Sequence, residues 1–150
     1  MSPVLRRRHV LRTGFALGAA CALRPARACE FYSGTLRITH PWTRATAADA
    51  SSAVLCMRLD EVTEDDRLIG VSTPVASGAE MGSPDAGRAV DLSVPRGSVM
   101  ELHEAGVHLR LTGLHQPLQT GREYPLTLQF ERSGTVLARL SVDYTAMRFR

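Results

Sequence analysis

The sequence predicts an all-β protein, an antiparallel β-sandwich of about eight short strands. Apolar residues recur at every second position in short runs, the signature of strands with one buried face. Turn residues punctuate the chain every ten residues or so, and no run has convincing helical spacing. Of the 150 residues, the first 28 read as a leader, and the remaining 122 suit one domain with a single core.

The leader has the parts of a secretory signal peptide. Arg6, Arg7 and Arg8 form a basic start, Thr13 to Leu23 a short apolar stretch, and Ala26-Arg27-Ala28 a small-residue cleavage site before Cys29. The apolar stretch is too short to span a bilayer as a helix. Arg7-Arg8-His9-Val10-Leu11-Arg12 resembles a twin-arginine export signal; an ordinary Sec signal with extra arginines is the alternative. Neither Cys21 nor Cys29 has a Leu three residues before it, which argues against lipoprotein processing. The expected location is the periplasm.

Each later element has its own pattern. Thr35 to Thr39 alternates and reads as a first strand. His40-Pro41-Trp42 follows as a link, with Trp42 a core anchor and His40 a turn histidine. Ala53 to Leu59 is a strand in which Met57 packs. Asp60 to Asp66 is acidic but lacks the spacing, Gly and terminal Glu of an EF-hand, so it reads as a solvated turn. Arg67 to Pro74 is a strand, Val75 to Asp91 a loop rich in Gly, Ala, Ser and Pro, and Val94 to Ser98 a turn. Val99 to Leu102 leads through a tight link to the next strand. There Val107, Leu109 and Leu111 face the core, and His108 and Arg110 share the outer face. Leu126, Leu128 and Phe130 line another strand, and Gly134 to Tyr144 the last, before a frayed tail.

Charge and composition exclude several functions. The formal charge of +3 belongs to the leader: six of the 18 Arg lie there and no acid does. The remainder has 12 Arg against 15 Asp plus Glu, about −3, with no nucleic-acid footprint. There is no lysine, so a Schiff-base mechanism is excluded. No G-x-S-x-G, H-E-x-x-H, P-loop or paired-carboxylate pattern occurs, so binding rather than catalysis is expected. Cys29 and Cys56 either pair as a disulfide or remain one terminal and one buried thiol.

Gly106-Val107-His108, then Gly113-Leu114, Pro117-Leu118 and Gly121, resembles the C-terminal half of the periplasmic copper chaperone family PCu(A)C. That segment of the family reads roughly G-x-H-x-M-L-x-G-L-x-x-P-L-x-x-G. Pro41-Trp42-Thr43-Arg44-Ala45-Thr46 and Asp66-Arg67-Leu68 are also similar to it. The resemblance implies a cupredoxin-like Greek-key sandwich over nearly the whole of 29–150. It also implies a Cu(I) site of two Met and two His, soft donors suited to that ion. Only His108 matches the ligand motif. Arg110 stands where the family has Met, and Gly82 where it has the first His. Met81 and His103 are the candidate substitute ligands.

Two functions follow. One is an exported copper-chaperone-like protein that binds Cu(I) and delivers it to a periplasmic or inner-membrane cuproprotein. The other is a metal-free binding module of the same fold, in which Arg110 beside His108 contacts a protein or an anionic ligand.

Overall fold

The computed structural model describes residues 29–143, and the leader and the end of the chain, Tyr144 included, lie outside them. Ten strands make up the described residues, with no helix. They are β1 (Glu30–Tyr32), β2 (Arg37–Arg44), β3 (Ser52–Asp60), β4 (Asp66–Ser72), β5 (Ala76–Met81), β6 (Leu92–Val94), β7 (Met100–Leu102), β8 (Leu109–Leu114), β9 (Glu123–Phe130) and β10 (Gly134–Asp143). The pairing order is β5-β8-β3-β2-β10-β9-β4-β6, with β1 added to β2 and β7 to β3. The all-β, cupredoxin-like expectation holds. The strands number ten rather than about eight, and the β2–β10 pairing is parallel where an all-antiparallel sheet was expected.

The alternating residues define the core. Leu55, Met57 and Leu59 of β3, Leu109 and Leu111 of β8, Leu126, Leu128 and Phe130 of β9, and Val136, Ala138 and Leu140 of β10 are buried in one cluster. Trp42 is buried, as expected of an anchor. A Leu of this kind, truncated to Ala, costs about 2–5 kcal/mol in a core that cannot collapse around it.

Three expectations need correction. β2 does not stop at Thr39 but runs to Arg44, so His40 lies within a strand, not a turn. Its φ is +46°, and the register with β3 shifts between Thr39 and Trp42. The bulge admits Pro41 without breaking the sheet. Second, the stretch read as a loop holds β5, whose small residues (Ala76, Ser77, Gly78, Ala79) hide the strand pattern. Its backbone pairs with β8 all the same. Third, Val107 is exposed, because the strand begins at Leu109, and His108 is buried instead.

The acidic stretch 60–66 is not a solvated turn throughout. Asp60 and Asp66 at its ends are buried. Asp60 accepts from both Arg37 and Arg58. Asp66 accepts from the backbone N–H groups of Arg67, Arg132 and Ser133 and from the Thr35 hydroxyl. It thereby ties the start of β2 and the β9–β10 turn to β4. Burial alone would raise the Asp66 carboxyl, but these hydrogen bonds outweigh it and hold the pKa at about 2.

The contribution of Asp66 is present above the ordinary carboxyl range and is lost as the pH falls from about 4 through about 2. At 1.36 kcal/mol per unit it amounts to about 2 kcal/mol. Asp66→Ala, which strands several donors, is expected to lower the unfolding free energy by about 3 kcal/mol at neutral pH. Urea midpoints check this, and the gap between variant and parent is expected to narrow below pH 4.

Candidate functional site

β5 and β8 build the candidate site. Glu80 lies opposite Arg110 and Met81 opposite Leu109. One step further, the Gly82 N–H donates to the His108 carbonyl at 2.8 Å, so Gly82 faces His108. Opposed residues of an antiparallel pair project to the same face, and successive ones to alternate faces. Met81 and Leu109 therefore pack into the core, where both are buried. His108 is directed the other way, over Gly82.

That glycine makes room for the ring. A Cβ at Gly82 would fall on Cδ2 and Nε2 of His108, closer than real atoms approach. The position that the resemblance assigns to a lost histidine is thus filled by the remaining one. His108 Nδ1 lies 2.9 Å from the Gly106 carbonyl oxygen. A carbonyl only accepts, so Nδ1 carries the proton, and Nε2 of the neutral ring keeps its lone pair. Metal-ligating histidines are commonly held in this way, with one nitrogen donating to a carbonyl and the other free to coordinate.

His103 lies on the β7–β8 loop, which closes on itself. Its N–H donates to the Val107 carbonyl, and the Gly106 N–H donates back to the His103 carbonyl. Its ring rests against Gly106, with Nε2 2.8 Å from where a Cβ would be. Both imidazoles thus border Gly106, His103 through the Nε2 end of its ring and His108 through a hydrogen bond. Arg110 faces Glu80, with the guanidinium 3.7 Å from the carboxylate. The pair is half exposed and worth at most about 1 kcal/mol in stability, but it offsets the cation beside His108. Of the candidate residues, the structure brings His103 and His108 to one loop, sets Arg110 beside them with a counter-charge, and turns Met81 away. Among the described residues, no cluster of three or more His, Cys, Asp or Glu is placed to hold a metal.

Cys56 lies beneath the same loop. It is fully buried, and neither it nor Cys29 is in a disulfide. Burial, and then the Glu104 carboxylate, push its thiol up to about 12, although the Glu104 backbone hydrogen bond and Arg44 act against this. It is an unreactive thiol.

A histidine absent from the sequence reasoning also has a defined place. His115 Nδ1 lies 3.1 Å from the Pro74 carbonyl oxygen and its Nε2 lies 2.9 Å from the Ser77 hydroxyl. It fastens β5 to the β8–β9 loop, and no spacing in the sequence points to that pairing.

Comparison with known proteins bears on this geometry directly. The family model described as LpqE-like, for a lipoprotein, matches residues 36–142. The chain belongs to the LpqE-like family. Solved structures match over most of its length. The copper-bound PCuAC domain of PmoF2 is 27% identical, with a TM-score of 0.70, over 77% of this chain and 98% of that one. The apo PCuAC domain of PmoF1 is 23% identical, with a TM-score of 0.71, over 77% and 99%. Cu(I)-DR1885 from Deinococcus radiodurans is 23% identical, with a TM-score of 0.56, over 69% and 77%. No curated protein sequence matches the chain. The resemblance to the PCu(A)C family holds, and with it the cupredoxin-like fold.

Two outcomes are expected. Gly82→Ala must displace the His108 ring and is expected to cost about 1–3 kcal/mol. It should also shift the His108 imidazole resonances; unchanged resonances would refute the packing. Cys56 is expected to stay unmodified by a thiol reagent at pH 8 until the protein is unfolded, which peptide mapping of the labelled chain checks.

Proposed function

We propose that the protein is an exported, copper-chaperone-like binding protein of the periplasm. In this reading it holds Cu(I) at His108 and passes it to a periplasmic or inner-membrane cuproprotein, without catalysing a reaction. The observation that carries the reading is the state of His108. Its Nδ1–H is committed to Gly106, and its Nε2 lone pair is left as a ligand, at the one position that matches the family's ligand motif. His103, bordering the same glycine, supplies a second imidazole. Imidazole suits copper in either oxidation state, and a site with fewer ligands releases its ion more readily than a closed one. The likeness to the copper-bound domain of PmoF2 supports the same role. Met81 is not among the ligands in this reading, since it packs with Leu109 in the core.

The residues fit a reduced site and not the four-ligand one that the resemblance implies. That mismatch favours a second reading, a metal-free module of the same fold. Its supporting observation is the Arg110–Glu80 pair standing where a thioether would be needed.

Titration with Cu(I) against a competing chelator separates the two. One equivalent that weakens about a hundredfold or more in His108→Ala, and measurably in His103→Ala, is the expected result. No His108-dependent equivalent would sink the carrier reading and leave the metal-free module.

A further inference from the structure

A second histidine, His40 in the bulge of β2, is set up as a ligand in a place that the His108 reading does not use. The β1–β2 register, Glu30 opposite Thr39, extends one step to place Cys29 opposite His40, and the His40 N–H donates to the Cys29 carbonyl at 2.6 Å. Directly opposed residues of an antiparallel pair have Cβ atoms about 5 Å apart.

The His40 side chain is only 5% exposed, and its Nε2 lies 2.7 Å from Asp143 Oδ2. A carboxylate accepts, so Nε2 carries the proton, and in the neutral ring Nδ1 holds the lone pair. Nδ1 is buried and has no hydrogen-bond partner. A buried polar atom left unpaired costs about 1–3 kcal/mol. The left-handed backbone of His40, which is not a glycine, adds a cost of similar size, about 1–3 kcal/mol. Carboxylate on one ring nitrogen and nothing on the other is the arrangement of a histidine awaiting a metal.

Cys29, across the backbone pairing from His40, is the candidate second donor. It is a free, half-buried thiol. Burial raises its pKa, and then the charges of Glu123 and Asp143 raise it further, so the thiol is exposed to the field of the same carboxylate that holds His40.

We propose that Cys29 Sγ and His40 Nδ1 form a two-coordinate site for a soft cation of the Cu(I) class, with Asp143 as the outer partner that orients His40. Thiolate sulfur selects Cu(I), which accepts two ligands in line. Zinc needs about four donors, and no third His, Cys, Asp or Glu among the described residues completes such a set. Binding forms the copper–sulfur bond and breaks the S–H bond, with the proton released to solvent and no change of oxidation state. Affinity therefore rises about tenfold per pH unit until the thiol is ionised.

The test is Cu(I) titration of the purified protein against a chelator, with thiolate-to-copper charge-transfer absorption and intact mass as readouts. The expected result is an equivalent beyond the His108-dependent one, with the charge-transfer band, strengthening from pH 6 to pH 8. Cys29→Ser, a change at the sheet edge, should remove that equivalent and the band while keeping the His108-dependent one. Asp143→Asn should weaken it about tenfold or more. An unchanged stoichiometry without the band in Cys29→Ser and parent alike would overturn this site alone, as would a mass showing Cys29 acylated. Loss of the His108-dependent equivalent with the band retained would overturn the other reading and leave this one.

Discussion

The split pairing of β3 governs the geometry around His103 and His108. Ser52 to Leu55 pair with β8, while Met57 to Leu59 pair with β7. Between the two partners the chain must cross from one ladder to the other, and it does so in the loop from His103 to His108. Cys56 is the residue at the gap, opposed by neither strand and covered by that loop. The crossing fixes where both imidazoles sit, buries the thiol, and draws the Arg44 and Glu104 side chains together above it. A protein with β7 and β8 as one continuous strand would have neither the loop nor its histidines at the sheet edge.

Burial and charge work together to make this edge specific. His108 is buried only because Gly82, its partner across β5–β8, has no side chain. Arg110 would stand as an uncompensated cation next to it but for Glu80 in direct register. The rest of the charge is organised in the same way: Asp60 lies between Arg37 and Arg58, and Asp66 is saturated by backbone donors. These carboxylates hold the ends of β3 and β4, so the turns, as well as the core, are held by buried interactions.

The two histidines have the same design with the nitrogens exchanged. His108 gives its Nδ1–H to a carbonyl and keeps Nε2; His40 gives its Nε2–H to Asp143 and keeps Nδ1. In each case the backbone fixes the ring: a strand start for His108, a bulge with a left-handed residue for His40. The choice of nitrogen follows from what each ring can reach, a neighbouring carbonyl in the β7–β8 loop or a carboxylate on the parallel strand β10.

The sequence by itself determined the class of fold and most of the core. Period-two alternation in Leu55-Met57-Leu59, Leu109-Leu111, Leu126-Leu128-Phe130 and Val136-Ala138-Leu140 needs only the pleat to predict which side is buried. The G-L-x-x-P-L-x-x-G frame and His108 were enough to point to the family. Local pattern did not reveal β5, because Ala, Ser and Gly carry no hydrophobic alternation, and only pairing with β8 makes that segment a strand. The burial of His108 could not be read either: alternation put it with Arg110 on the face away from Leu109, where it lies, but only the pairing with β5 sets its ring over Gly82. Alternation through Val107 assumed that the strand had already begun, and it begins two residues later. Met81 was legible as a nearby sulfur that either ligates or packs, and only its pairing opposite Leu109 decides for the core. Asp143 and His40 stand 103 residues apart, and their contact exists only because β2 and β10 run parallel. Side-chain periodicity is set by the neighbours along the chain, whereas ligand geometry is set by which strands meet, and only the tertiary structure decides that.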